Sequence, residues 1–505
     1  MKKQVQNHIR WSRYGDRNEI SLQEAQMRTF NNFIWRFAQT EGNYNFSSGS
    51  RGKGNLSSEA NPYFLFPQIY NFRYNIFSSE WPVANRVIEL YLQKKSENGG
   101  WERQINGISN NEKAVLLLEK RTFKELLVDM ELRNLQNNIV GQEASRLFAR
   151  AEINMGVEAF RDSLYSLLKR NTFLNIKFEN MLDTLGEISR TDIRSLLGEW
   201  EKTTPLPFYS LGEPTLTKIT NKGGEEFFVL KMLISNNSDY DGIIHMDIRK
   251  DGWWYQPLED PRAKTKIEMP AHTSKEFVSV WEDQIRNVEI NTMVSGNLPN
   301  IISQDINNVK QERNKIVKDS IYILPESSFD LPGEIIVDNE DSTLFILSAP
   351  PIVGLLPKWL DEVEETPFKY SGISWWRPPL QWTATTNDRY YGKYIRSAFV
   401  IKSGDGSQTA TWKVPVPEVG QYDLYYHVFK DDELRWNNNL QGEYHFKVKY
   451  GSEVEDAYVN LRKANEGWEQ LGSYYFDSDT IRVVLTDECK LRSVTADAVK
   501  IVKRY

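Results

Sequence analysis

The sequence predicts a multidomain protein, an α-helical N-terminal block followed by two all-β sandwich domains. Three observations carry that expectation. Through the last third of the chain, apolar and polar residues alternate with a period of two in short runs. Tyr444, Phe446, Val448 and Tyr450 alternate with His445, Lys447 and Lys449, and Ala410, Trp412 and Val414 alternate with Thr411 and Lys413. Ile481, Val483 and Leu485 flank Arg482 and Val484 in the same way. Such a strand turns one face to a core and the other to water. Turn residues separate the runs at 404–406, 415–420, 451–452 and 477–479, a spacing that suits a sandwich. By contrast, 11–42 and 111–200 contain no proline, and the second is rich in Leu, Glu and Arg, so both read as helix.

Taken in order, the chain opens with Met1 to His8, two lysines with no apolar stretch behind them. That is not a signal peptide pattern. A helix is expected over 11–42, then a glycine-rich surface loop, Gly49 to Gly54, which lacks the spacing of a phosphate-binding loop. Pro62 to Tyr91 is aromatic-rich and expected in a core. Phe160, Leu164, Leu167 and Leu168 form one apolar helical stripe. Another helix is expected from Asn175, carrying Phe178, Met181, Leu182 and Leu185, and Ser189 with Asp192 resembles a capping box for a third ending at Trp200. The helical block spans 1–205. Residues 206–310 read as a small Ig-like sandwich in which Ile244, Met246 and Ile248 share a face, 311–329 as a linker, and 330–505 as the second sandwich.

Composition narrows the classes. A net charge of −7 and a pI near 5.6 give no electrostatic reason to expect nucleic acid as a partner. The best apolar run is interrupted by Pro350-Pro351, so no membrane span is expected. The single Cys489 excludes an intrachain disulfide and reads as a small buried hydrophobe. Six of the fifteen tryptophans lie from Trp375 onward, which directs attention to that end for ligand binding.

Two resemblances follow from the ordered segments. Glu334 to Asn339, Tyr390-Tyr391-Gly392, Ala410-Thr411-Trp412 through Pro417, Gly420 to Tyr425, Trp468 to Tyr475 and Thr495 to Ile501 together resemble the golvesin C-terminal domain. That domain is also described as similar to the carbohydrate-binding region of xanthan lyase. An insert at about 342–380, with six prolines, departs from the pattern. Upstream, Met155 to Phe160, Phe173 to Phe178 and Ile193 to Trp200 before Pro205-Leu206-Pro207 resemble the end of the helical part of gluzincin-type (M1-like) zinc aminopeptidases. This second resemblance implies a membrane-linked, peptidase-like parent. The pair implies an extracytoplasmic location in the cell envelope.

Catalytic zinc of the gluzincin type needs two His one helical turn apart, a base Glu and a further carboxylate. His8, His245, His272, His427 and His445 offer no such pair, so no cofactor is expected in this chain. Zinc would enter only with an upstream catalytic domain. His245 and His445 are expected on solvated strand faces. No Ser stands in a Gly-x-Ser-x-Gly turn. Asp338, Asn339, Glu340 and Asp341 offer oxygen ligands for calcium but read first as a turn after a strand.

Sugar rings stack on aromatic side chains while polar groups fix their orientation. Trp375, Trp376, Arg377 and Trp382, with Arg435 and Trp436 beside Asn437 to Asn439, are therefore the expected glycan-binding residues. Trp412 and Trp468 are expected in the core. The leading expectation is a non-catalytic C-terminal part of a peptidase-like envelope protein whose last domain binds a polysaccharide or an envelope protein. The membrane would be reached only through an upstream region. Two alternatives stand beside it: an aminopeptidase completed by an upstream domain or second chain, and a structural envelope module.

Overall fold

The computed structural model describes residues 74–92 and 100–504, apart from 173, 221–222, 251–255, 259, 307, 314–316, 326–328, 330–332, 349–367, 375–376 and 431–441, together with a few helical positions between 22 and 29. The expected helix at 11–42 therefore lies mostly outside the described residues. Gly49 to Gly54 and the aromatic positions 63–72 lie outside them too.

The chain forms two compact units, one of Met1–Glu97 with Thr122–Lys202, the other of Asn98–Arg121 with Thr203–Tyr505. In chain order the first elements are β1 (Tyr74–Phe77), α1 (Ala84–Leu92), α2 (Gly100–Asn106), α3 (Asn110–Lys120) and α4 (Phe123–Val128). Then come α5 (Gln136–Met155), α6 (Val157–Arg170), β2 (Leu174–Lys177), α7 (Phe178–Ser189) and a 3-10 helix, Arg194–Glu201. Of these, α2 and α3 belong to the second unit.

The first unit packs around aromatic side chains. Trp200 meets Trp81 edge-on at 5.0 Å and Phe123 at 4.9 Å, and Tyr91 meets Phe148 at 4.7 Å. Phe160, Leu164 and Leu168 are buried along α6, as their spacing predicts. Two expectations need correction. Residues 174–177 are not the start of a helix: they form β2, which pairs in parallel with β1 before α7 begins at Phe178. The partner strand supplies ladder bonds that a local pattern cannot reveal. Ser189 does not cap the next helix, because its hydroxyl donates back to the Leu185 carbonyl. Asp192 accepts from the Ser195 N–H instead. Reciprocal capping boxes occur elsewhere, at Ser109 with Glu112 and at Thr122 with Glu125.

The second unit is mostly strand. Its first part comprises β3 (Tyr209–Leu211), β4 (Thr215–Thr220), β5 (Glu226–Asn236), β6 (Gly242–Lys250), β7 (Gln256–Pro257) and β8 (Lys264–Met269). It continues through β9 (Thr273–Trp281), β10 (Ile285–Asn291), β11 (Ile301–Asp305), β12 (Val309–Arg313) and β13 (Ser320–Pro325). One sheet runs β11-β10-β6-β7 with β8 on β6, the other β12-β4-β5-β9-β13 with β3 on β5. Ile244, Met246 and Ile248 are fully buried between them, as alternation predicts.

The terminal sandwich uses β14 (Glu334–Val337), β15 (Phe345–Ser348), β16 (Thr383–Thr386), β17 (Ser397–Lys402), β18 (Thr409–Pro415) and β19 (Gly420–Val428). It is completed by β20 (Glu443–Tyr450), β21 (Glu453–Asn460), β22 (Gly467–Phe476), β23 (Thr480–Thr486), β24 (Ser493–Ala496) and β25 (Val499–Lys503). A four-stranded sheet, β14-β25-β19-β22, faces a five-stranded one, β15-β18-β23-β20-β21, and β16-β17-β24 forms a third. Trp412, Tyr426, Phe446, Val448, Val483 and Leu485 fill the core. The start of the expected insert is part of this fold, since β15 pairs with β18. Cys489 packs half-buried at the edge of the core, and burial pushes its thiol up.

Within this unit, Glu112 of α3 is buried and accepts from the Ser109 N–H, from Arg103 Nε at 3.0 Å and from the Asn300 N–H at 2.8 Å. The Leu298 N–H donates to the Tyr394 carbonyl, and the Arg396 N–H donates to that of Leu298. Gly107, at φ +80°, lets the backbone of Ser371 approach so closely that a Cβ would lie 2.4 Å from its nitrogen. A fragment of residues 333–505 is therefore expected to melt cooperatively on its own core but below the intact chain. Ile108 and Leu298 would no longer cover Tyr370 and Ala384. Calorimetry of the fragment checks this, and a broad transition would mean that the two sandwiches share one core.

Candidate functional site

The outer face of β14-β25-β19-β22 is built by alternation. Along β19, Tyr422, Leu424, Tyr426 and Val428 point into the core, leaving Gln421, Asp423, Tyr425 and His427 outside. Register places Lys500 of β25 beside Tyr425, and Trp468 of β22 opposite His427. A bulge interrupts the pairing of β22, where Gly472 faces Leu424 but Gln470 faces Tyr425. As a result Gln470 and Ser473, three residues apart, both reach Asp423 Oδ1. Arg504 Nε donates to Asp423 Oδ2 at 2.7 Å and holds its carboxyl below the usual carboxylate range. Tyr475, 60% exposed, lies opposite Gln421 beside this polar row.

At the other end of the face, Trp468 stands 5.0 Å from the Tyr391 ring and 5.2 Å from that of His427. Lys500 Nζ lies over Trp468 at 4.9 Å and Tyr425 at 5.4 Å, and pairs with Glu334 at 3.0 Å. Beneath them Asp497 is fully buried. One oxygen lies 2.8 Å from His427 Nδ1, and the Tyr391 N–H donates to the carboxylate at 3.2 Å. Burial pushes the Asp497 carboxyl above its usual range, with His427 pulling the other way. This fixed His427 ring and its aromatic neighbours leave the polar row around Asp423 and the Tyr475 ring as the open part of the face.

Of the residues expected to bind glycan, Trp375, Trp376, Arg435 and Trp436 lie outside the described residues. Arg377 is exposed, on an isolated bridge with Ser374. Trp382 is half-buried against the sandwich core. Arg377 and Trp382 have no part in the outer face of this sheet. Trp412 is in the core as expected. Trp468 is not: it sits half-buried on the outer face. Asp423, Gln470, Ser473, Tyr475 and Arg504 were not singled out by sequence. Alternation along 420–428 marks Asp423 as outward, but its partners come from distant strands.

The zinc site implied by the peptidase resemblance does not fit the residues present. His272 pairs with Asp239, His427 with Asp497, and His445 lies between Asp456 and Glu488. Among the described residues no group of three or more His, Cys, Asp or Glu side chains is placed to hold a metal ion. His445 is engaged rather than simply solvated, and it also stacks on Tyr458 at 4.8 Å. The 338–341 cluster is a turn, with the Asp338 N–H donating to Asp341 and Glu340 taken up by Lys369, Tyr370 and Ser397. Among the described residues no helix is long and apolar enough to cross a membrane.

No curated protein matches this chain. Among solved structures, TmCBM61 in complex with β-1,4-galactotriose overlaps 24% of this chain and 77% of its own, at 14% identity and a TM-score of 0.15. A Bacteroides uniformis β-glucuronidase overlaps 63% of this chain and 32% of its own, at 11% identity and a TM-score of 0.18. Overlaps this weak carry no argument about fold or function. The comparisons give no support to a gluzincin-like or membrane-linked peptidase parent. What they do establish is local: residues 378–503, which supply most of the terminal sandwich and most of the face described above, match the Golvesin C-terminal domain.

Proposed function

We propose that residues 333–505 are a non-catalytic glycan-binding module whose ligand lies on the outer face of β14-β25-β19-β22. The observation that carries the reading is the exposed Tyr475 ring beside the hydrogen-bonded row Asp423, Gln470, Ser473 and Arg504. An aromatic face takes the apolar side of a sugar ring while amide, carboxylate and guanidinium groups take its hydroxyls. The match to the Golvesin C-terminal domain supports the class of ligand. The charges favour an uncharged saccharide here. Lys500 and Arg504 already hold Glu334 and Asp423, and a hydroxyl bridges such a pair whereas a polyanion must displace a carboxylate. A module of this kind acts on glycans outside the cytoplasm, which is the location proposed for it.

Screening the intact chain on a glycan array, followed by Tyr475→Ala and Asp423→Ala, tests the reading. Each substitution is expected to weaken binding by about 1 kcal/mol, close to the worth of a stacking contact, with little change in melting temperature. Loss of binding in Trp375→Ala, Trp376→Ala or Trp436→Ala with Tyr475→Ala unaffected would move the site to the loop residues, Arg377, Trp382 and Arg435 included. An array without hits removes the glycan reading and leaves a structural role.

A further inference from the structure

The opposite sheet of the terminal sandwich carries its charges differently. On the outer face of β15-β18-β23-β20-β21, register sets Lys413 against Arg482 and Arg482 against Lys449. Lys447 is the next outward position along β20. Among the described residues none of these four cations takes part in an ion pair, whereas Lys500 and Arg504 on the other face each hold a carboxylate. Asp456, which register places across from Lys447, is engaged by His445 at 2.8 Å, and Glu488 meets the other nitrogen of the same ring at 3.3 Å. Adjacent strands are about 4.8 Å apart, and like charges set directly opposite each other are destabilising. A chain with a net charge of −7 thus keeps a line of three cations across β18, β23 and β20 without neutralising it.

We propose that this second face binds a linear, carboxylate-bearing polysaccharide, its acid groups meeting one cation on each of the three strands. The line of charge matches a polymer with acid groups repeated along its length. Thr411, beside the row on β18, and Tyr458, stacked on His445 at 4.8 Å, supply a hydroxyl and an aromatic ring to the same surface. The site is separate from the face around Tyr475, and either can fail without the other.

The test uses the intact chain with polygalacturonate and, as the neutral control, its methyl-esterified form. Binding is expected to the acidic polymer only, and to weaken as salt rises, because exposed charges are screened. The double variant Lys413→Glu/Lys449→Glu should lose about tenfold or more in affinity, since two favourable contacts become repulsive. Tyr475→Ala should bind polygalacturonate as the parent does. Reversal turns two like-charge contacts with Arg482 into attractive ones, so the melting temperature should not fall. If it does fall, Lys413→Gln/Lys449→Gln replaces it and should still weaken binding. The proposal is overturned by equal binding of the esterified polymer, by no binding to either, or by binding that survives both double variants. Tighter binding of duplex DNA or of phosphatidylcholine–phosphatidylserine vesicles through the same lysines would also overturn it, giving the face to a different partner.

Discussion

Trp412→Ala is expected to abolish the cooperative fold of the terminal sandwich or bring it close to that point. The side chain is fully buried, packs 5.3 Å from the Phe345 ring and 6.2 Å from that of Tyr426, and donates Nε1–H to the Asp497 carbonyl at 3.2 Å. Truncating a buried Trp costs about 3–5 kcal/mol. Stranding the carbonyl of Asp497 adds about 1–3 kcal/mol. Against a whole-domain stability of about 5–15 kcal/mol, that is a large share. Urea denaturation followed by far-UV circular dichroism should show a much lower midpoint, or no folded baseline for these strands. Tyr475→Ala, with its ring in solvent, should stay within about 0.5 kcal/mol of the parent. Equal stability of the two variants would mean that Trp412 is not in the core.

Asp497 offers the second large effect, and one with a sign in pH. Asp497→Ala removes the acceptor of the Tyr391 N–H and the partner of His427, at a position that is itself fully buried. Each stranded buried group costs about 1–3 kcal/mol, so a loss of about 2–5 kcal/mol is expected. Asp497→Asn keeps an acceptor oxygen at the same place and should cost much less. Burial raises the folded-state pKa of the carboxyl above its unfolded value. The stability this group contributes is therefore fully present below about pH 4 and is lost as the pH rises through the raised value. Parent minus Asn variant stability, measured by urea titration across pH, should fall over that rise and then level off. A difference that grows with pH would mean that the charge on His427 outweighs burial.

Much of the terminal sandwich was legible because a half-buried strand writes its burial into sequence with a period of two. Ala410, Trp412 and Val414, Tyr444, Phe446 and Val448, and Ile481, Val483 and Leu485 are buried at their expected positions. The stripe of α6 was legible for the equivalent reason at helical period. Errors fell where a neighbour overrode the local pattern. Residues 174–177 took the ladder offered by β1, and Ser189 bonded within its own helix while Asp192 accepted from the Ser195 N–H.

What the sequence alone determined about this protein is which residues of each strand face in and which face out, together with the golvesin-like order of its last segments. Which outward residues stand together was decided only by the tertiary structure. Lys413, Arg482 and Lys449 lie on three strands far apart in sequence and become a row only through register. Strict alternation puts Gln470 and Ser473 on opposite faces, yet the bulge of β22 brings both to Asp423. Trp468 fits a core position by pattern, but its pairing opposite His427 sets it on the outer face. Alternation is a property of each strand by itself, whereas register and bulges are fixed by hydrogen bonds to another strand, and a site made of outward residues inherits that dependence.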